Sequence, residues 1–313
     1  MISFLGRRLV QLIITMLGIV TVAFFLMRAI PGDPAAYILG DYATKEALAT
    51  LRSQLGLDRP VFEQYLIFMG RALTGDLGSS VVTGQPALSE ITSSLPSSAA
   101  LAVLGLLIAV AIGIPLGIMS AVYQGTWIDV AIMLGALAGI SFPVFWFGLV
   151  AILVFSHWLN IFPALGSTNS DSMWVNIYYL LLPALVFGFS IAAYIARLTR
   201  SAMLEVLSQD YIRVARAMGI SEGKIVFRYA LRNALIPILA VIGVTFAWAF
   251  GNAILIEVVF SRPGVGSTLL KAILARDYQL VQAGVLVLAA IVVVINVTLD
   301  VSYGFIDPRL RNT

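Results

Sequence analysis

The 313-residue chain has no cysteine and one histidine, His157. A disulfide framework, a thiolate nucleophile or metal site, and every metal motif built on several histidines are therefore excluded. No Ser-His-Asp set or HExxH helix is present to do hydrolytic chemistry. His157 stands beside Trp158 at the end of an apolar run and reads as an interfacial residue. Two glycine-rich stretches invite a phosphate reading. Gly219-Ile220-Ser221-Glu222-Gly223-Lys224 is one residue short of a phosphate loop, and Ile225 stands where Ser or Thr is needed. Gly264-Val265-Gly266-Ser267 has no lysine at the right offset. Neither is a nucleotide site by this pattern, so the chain itself is not expected to bind ATP.

The elements that carry these residues follow from composition. Apolar residues make up 60% and charged residues 11%, against about 45–50% and about 25% in soluble domains. So few charges cannot cover a soluble fold, which excludes an ordinary cytosolic enzyme, a disordered chain and a nucleic-acid binder. The net charge of +3 reflects few charges rather than a basic patch. Six stretches lack Asp, Glu, Lys and Arg: Leu9 to Met27, Ala99 to Val122, Val130 to Phe155, Ile177 to Ala196, Ala234 to Ile256 and Leu280 to Leu299. Each is long enough to cross a bilayer core, which takes about 20 helical residues. The runs are continuous rather than alternating, so helices are expected and not barrel strands. Pro115, Pro143, Pro183 and Pro237 fall inside them. The first run follows Arg7 and Arg8. It is longer than a signal-peptide core, has no A-x-A site after it, and reads as a retained anchor.

Lysine and arginine set the orientation. Seven basic residues lie between Arg197 and Arg232, and none lies between the third and fourth spans. Both termini are therefore expected in the cytoplasm. The expected organisation is an N-terminal span in 1–30, an outer region with short helices in 31–98, and a five-helix core in 99–313 with an inner loop at 197–233. In the outer region Thr44 is a candidate cap for a helix ending near Gly56, and Pro60 opens one ending near Gly75. This region is either a small cap or a docking surface for a soluble partner. A second outer segment, Glu257 to Gln279, has a turn at Pro263, Gly264 and Gly266, then a short amphipathic helix from Thr268 to Leu274.

The inner loop is the most patterned stretch. Asp210 is a candidate cap for a short helix from Tyr211 to Met218, with Gly219 as its stop. Ala215 and Gly219 share a face on which another surface could approach closely, flanked by Arg213 and Arg216. No ionisable residue lies deep in a span: Asp129, Glu257 and Asp300 sit at span ends. Ion-coupled carriers hold such groups near the midplane, so any energy is expected to enter from outside the chain. A stand-alone channel or carrier remains the rival reading. A membrane-embedded enzyme would need a reactive constellation that is not found. Pore-lining candidates are Ser141, Phe142, Ser190, Tyr194, Thr245 and Asn252, each of which could instead satisfy a helix backbone. Gly113 with Gly117, and Gly135 with Gly139, are small-xxx-small pairs, read as packing of the second and third spans on each other or as contact with a second membrane subunit.

Several stretches together carry a resemblance. They are Asp210-Tyr211-Ile212-Arg213-Val214-Ala215-Arg216-Ala217-Met218-Gly219, then Leu231-Arg232-Asn233-Ala234-Leu235-Ile236-Pro237; Pro31-Gly32-Asp33-Pro34; Gly75-Asp76-Leu77-Gly78-Ser79-Ser80; Phe260 to Gly266; Ala275-Arg276-Asp277-Tyr278; and Asp307-Pro308-Arg309-Leu310-Arg311. The chain resembles the permeases of binding-protein-dependent ABC importers, in the peptide/nickel branch. The resemblance implies an all-α type I importer fold with six transmembrane helices in a bacterial-type cytoplasmic membrane. It implies a second homologous permease, two cytoplasmic ATPase subunits that hold ATP and Mg, and an extracytoplasmic solute-binding protein. The solute would be a di- or oligopeptide, or a nickel chelate, glutathione or similar small molecule. Asp210, Tyr211, Arg213, Ala215, Arg216, Gly219 and Glu222 would couple to the ATPase. Arg262, Arg276 and Asp277 would be candidates for docking the binding protein. The general importer loop has Glu-Ala-Ala, then Gly, then Ile-x-Leu-Pro. Ala215, Gly219 and Leu231 fit it, whereas Arg213, Tyr229 and Arg232 replace its Glu, Ile and Pro.

Overall fold

A computed structural model describes residues 2–29, 32–40, 43–166 and 171–306. Pro31, the side chains of Arg7, Arg8 and Asp300, and the stretch Asp307 to Arg311 lie outside the described residues. The described chain is helical, with one isolated β-bridge between Ser79 and Pro86. Its contacts divide into two units: Met1–Ser97 with Pro263–Val294, and Ser98–Arg262 with Ile295–Thr313. Among the described residues, five helices are long and apolar enough to cross a membrane, and a bent pair makes a sixth candidate.

The second unit is organised on α8 (Met173–Leu207), whose buried face includes Pro183, Ala184, Gly188, Ala192 and Ala196. Within α5 (Ala87–Val122), Gly113 and Gly117 face this strip rather than the third span. A Cβ on Gly113 would lie 2.8 Å from the Ala192 carbonyl oxygen, and one on Gly117 2.6 Å from that of Ala196. Gly188 returns the favour, with a Cβ there 2.8 Å from the Gly105 carbonyl oxygen. Lipid tails are as apolar as leucine, so such helices associate through close van der Waals contact, which small residues permit. Larger side chains fill the layer beside the strip: Leu101, Phe187, Ala249, Ile256 and Phe260 form one buried cluster. Gly139 also meets α8, at Ala193, whereas Gly135 has open space around it.

The expected third span, Val130 to Phe155, is not one helix. It is α6 (Trp127–Ser141) and α7 (Val144–Ala151), the latter running on as a π-helical turn, Ile152–Trp158. The two arms bend by 102°. Phe142 precedes Pro143, and its backbone is extended at φ −89, ψ 138. A proline disfavours helical geometry in the residue before it and donates no N–H. Pro183 and Pro237 do not break their helices, α8 and α11 (Leu231–Val259). The entry to α6 is tied down by Asp129, 5% exposed. Its carboxylate takes both forks of Arg200 on α8, at 2.7 Å each, the amide of Gly125 at 3.1 Å, and the Ser120 hydroxyl.

The first unit comprises α1 (Ile2–Ala29), α2 (Pro34–Leu39), α3 (Lys45–Gln54), α4 (Val61–Leu73) and α12 (Val265–Leu274). Parts of α5 and of α13 (Tyr278–Ile306) complete it. The Thr44 cap forms as expected, its hydroxyl accepting from the Ala47 amide at 3.1 Å. Asp33 caps α2 through the Ala35 amide and also pairs with Arg52 at 2.6 Å. Gly56 and Gly75 take the left-handed backbone that ends α3 and α4. Met27, Leu77, Ile91, Leu269 and Leu280 make the apolar core of this unit.

The ladder yields a contrast. Gly113→Leu is expected to destabilise the protein by about 1–3 kcal/mol through overpacking against α8. Gly135→Ala, in open space, is expected to be neutral or slightly stabilising. Denaturation midpoints in detergent measure both, and equal midpoints for the two variants would remove the ladder as a packing element.

Candidate functional site

The segment after α8 is built as a rigid surface knob. The short helix α9 (Asp210–Ala217) begins one residue earlier than expected: Gln209 occupies the N-cap position without a side-chain capping bond, and Asp210, the expected cap, is the first helical residue. Asp210 instead lies in the first turn, where a negative charge suits the helix dipole, and pairs with Arg213 at 3.4 Å. Gly219, at φ +74, ends the helix. Its amide donates to the Arg216 carbonyl at 3.0 Å, and the Ile220 amide donates to that of Ala215 at 3.2 Å. This crossed pair is the Schellman arrangement, and only glycine adopts its left-handed position without cost. Ile220 then packs with Ile212, Ala215 and Ile225.

Arg216 closes the knob. Its Nε and NH2 reach the two oxygens of Glu222 at 2.8 and 3.3 Å. The Arg216 guanidinium holds the Glu222 carboxyl below its usual value, and Glu222 raises Arg216 in return. The clasp is therefore charged throughout the neutral range. The segment continues through α10 (Glu222–Lys224) and a π-helical turn, Ile225–Ala230, into α11. Asn233 donates to the Tyr211 hydroxyl at 2.8 Å, fixing that ring against the start of α11.

Of the two small residues expected to share an open face, Gly219 is exposed with free space around it, but Ala215 is not open. Ala215 is 3% exposed and turned onto the chain's own Ile212 and Ile225. The outward face carries Tyr211, Val214 and Met218, at 43, 56 and 68% exposure. These apolar residues recur at helical spacing beside the buried face of Ile212 and Ala215, and exposed Arg213 and Ala217 lie opposite that face. Apolar character on two adjoining faces of an eight-residue helix was the signal available in the sequence. Such a strip on a polar loop fits a partner surface.

The pore-lining candidates do not meet in one cavity. Ser190 lines an apolar groove of about 690 Å³ with Leu116, Gly135, Phe147 and Phe189. Ser141 and Phe142 are exposed at the break between α6 and α7, where Phe142 stacks on Trp146 with ring centroids 4.7 Å apart. Tyr194 is exposed, with the Arg197 guanidinium 5.8 Å from its ring centroid. Thr245 is half-buried. Asn252 donates to the Trp248 carbonyl at 3.1 Å and so serves its own helix.

Two of the docking candidates are buried in this chain. Arg262 is 8% exposed and donates to the Gly166 carbonyl. Burial pushes its guanidinium below the usual value, and Glu257 opposes that push. Glu257, itself 1% exposed, accepts from Ser98 at 2.5 Å. Asp277 is fully buried, accepts from the Ser80 hydroxyl at 2.5 Å and caps α13 through the Leu280 amide at 3.1 Å. Both residues close turns from within. Arg276, half-buried at φ +55, is the one of the three with reach to a cavity.

Comparison with known proteins agrees with this architecture. Residues 113–312 match the model of the binding-protein-dependent transport system inner membrane component, and residues 1–102 match the N-terminal model of the same systems. A dipeptide transport system permease protein of Alkalihalophilus pseudofirmus is 40% identical over 99% of this chain and 100% of its own length. A di/tripeptide transport system permease protein of Pseudomonas aeruginosa is 39% identical over 100% and 99%. A glutathione transport system permease protein of Escherichia coli is 37% identical over 99% of both chains.

The Schellman stop generates a graded test. Gly219→Val places a β-branched residue in left-handed backbone, at a cost of about 1–2 kcal/mol, and should speed tryptic cleavage at Arg213 and Arg216. Gly219→Asn, which tolerates that backbone, should stay near the parent rate. Identical cleavage rates for Val and Asn would show that the left-handed stop does not hold the knob.

Proposed function

The chain belongs to the family of binding-protein-dependent transport system inner membrane components, and from that premise we propose how it couples and what it carries. It is a membrane permease subunit of an ABC transporter, not an enzyme. Our reading is that it forms half of the path for di- or oligopeptides. A similar second permease supplies the other half, two cytoplasmic ATPase subunits hold ATP and Mg, and an extracytoplasmic binding protein delivers the solute. The relatives named for dipeptides, di/tripeptides and glutathione support a peptide-like solute. With the termini inside, as the distribution of Lys and Arg favours, the knob from Asp210 to Glu222 faces the cytoplasm.

One observation carries the coupling role: α9 is braced on its inner face and apolar on its outer one. A lever must not deform under load. The Ile212, Ala215 and Ile225 cluster, the Gly219 stop and the Arg216 clasp supply that stiffness. Tyr211, Val214 and Met218 supply a surface for a cleft in the ATPase. ATP binding favours one membrane conformation only if the ATPase contacts differ between the two, and this helix is where such contacts are made. The clasp of Asp129 with Arg200 lies where α8 approaches the knob, and passes its displacement to the α5–α6 turn. Ser190 and the groove it lines, with Ser141 and Phe142 at the broken span, are the leading candidates to meet the solute.

The test uses the assembled transporter in proteoliposomes. The double variant Val214→Glu, Met218→Glu changes only exposed side chains, so stability should stay within about 0.5 kcal/mol of the parent. ATP-driven uptake should fall at least tenfold while hydrolysis by the ATPases persists. Undiminished uptake would rule out this face as the coupling surface.

A further inference from the structure

Helix α4 has an apolar face that meets α1 and a second one that meets nothing in the chain. On the first face, the Tyr65 and Phe68 rings both lie against Phe24, at centroid distances of 5.3 and 5.7 Å. Tyr65 also stacks on Phe25 at 5.5 Å. The second face is Phe62, Leu66, Met69 and Leu73. Their spacing of i, i+4, i+7 and i+11 makes one stripe on a helix of 3.6 residues per turn. Phe62, Leu66 and Leu73 are 65, 54 and 83% exposed, and Met69 is half-buried. A continuous apolar stripe of this kind marks a surface that water does not cover.

Two polar contacts fix which way the stripe points. The apolar span within α1 runs from Val10 to Ala29. Gln64 accepts from Arg28, beside the C-terminal end of that span, at 2.9 Å. The Tyr65 hydroxyl bonds Thr21 at 2.8 Å. Thr21 lies deeper than Arg28 by roughly 10 Å of helix. Passing round α4 from Gln64 through Phe68 to Tyr65 therefore follows α1 from Arg28 through Phe24 to Thr21, into the span. The next positions round α4 in that direction are those of the stripe. Gln64 and Arg71 lie on the opposite side and share the lining of one cavity with Arg28. The polar side of α4 thus faces the end of the span, and its apolar stripe faces the interior of the span.

We propose that α4 lies in the membrane interface, with Phe62, Leu66, Met69 and Leu73 among the acyl chains of the leaflet around the C-terminal end of α1. The depth agrees. Interfacial helices bury their apolar face about 5–10 Å below the headgroup boundary. Phe24, the ring on which α4 rests, lies roughly 7–8 Å of helix inside Ala29. The surface is also continuous with one that already meets lipid. Val22, Phe25 and Leu26 are exposed on α1, and Phe25 carries the stacked Tyr65 ring at the border of the stripe. The region between the first two spans is then in part a membrane element, not a free cap. The inference needs α1 to span the bilayer and does not rest on the coupling reading.

The chain has no cysteine, so a single introduced one reports alone. In the full chain in phosphatidylcholine nanodiscs, Leu66→Cys and Leu73→Cys should react with a water-soluble maleimide about tenfold more slowly than Ala49→Cys and Arg71→Cys, which stand at exposed positions off the stripe. All four replace exposed side chains, so the thermal midpoint should hold and slow reaction cannot be misfolding. Photocrosslinking then identifies the cover. In native membranes, p-benzoylphenylalanine in place of Leu66 or Leu73 should give an adduct of phospholipid mass on irradiation, and in place of Ala49 none. Equal reactivity of the four cysteines would put the stripe in water and overturn the proposal. A polypeptide adduct at Leu66 and Leu73 would overturn it as well, in favour of a protein-docking face, and so would absence of the lipid adduct. Neither uptake nor hydrolysis is measured, so failure here leaves the coupling reading standing.

Discussion

Inside a bilayer the surrounding solvent is as oily as the protein, so burial of apolar surface cannot bring helices together. Close backbone approach must do it, and in this chain it is concentrated on one seam. Gly105, Gly113 and Gly117 on α5 meet Gly188, Ala192 and Ala196 on α8 at distances that leave no room for a methyl group. The larger apolar cluster around Phe187 and Phe260 and the Asp129–Arg200 clasp both assume the spacing which that seam sets. A fold held this way has few polar contacts in its interior, and each becomes conspicuous. Ser98 with Glu257, Ser120 with Asp129 and Arg200, and Arg262 with the Gly166 carbonyl are examples within the second unit.

Much of the architecture was legible because composition speaks plainly in membranes. Uncharged runs located the spans, and Thr44 marked a helix start and Gly56, Gly75 and Gly219 helix stops that the structure places within a residue or two. Those are local rules, set by a side chain and its own backbone. What sequence could not give was the response of neighbours. Of the prolines in Pro143, Pro183 and Pro237, only the first breaks its helix.

The site shows the same division. The position and ends of α9 could be read to within one residue, but which face it would turn outward could not. Ala215 invites close approach, and its own chain takes up the offer through Ile212 and Ile225. Arg262 and Asp277 look like surface charges near a glycine-rich turn, yet they are internal struts whose partners, Gly166 and Ser80, lie about a hundred and two hundred residues away in sequence. The stretches around Gly32, Gly78 and Arg276 read as separate turns. Only in three dimensions do they meet, Gly32 against the Arg276 guanidinium and Gly78 against the Gln279 side chain.

The broken span has a bearing on how the chain is made. Each arm of the α6–α7 pair has about 15 residues, or roughly 22 Å of helix, against a hydrocarbon core near 30 Å. Neither arm can bridge the oil on its own as it leaves the ribosome. Both arms pack on α8, and α7 packs equally on α11, so the pair is covered only by helices that follow it in the chain. The elbow's place in the membrane is thus set by helices made after it, not by its own length.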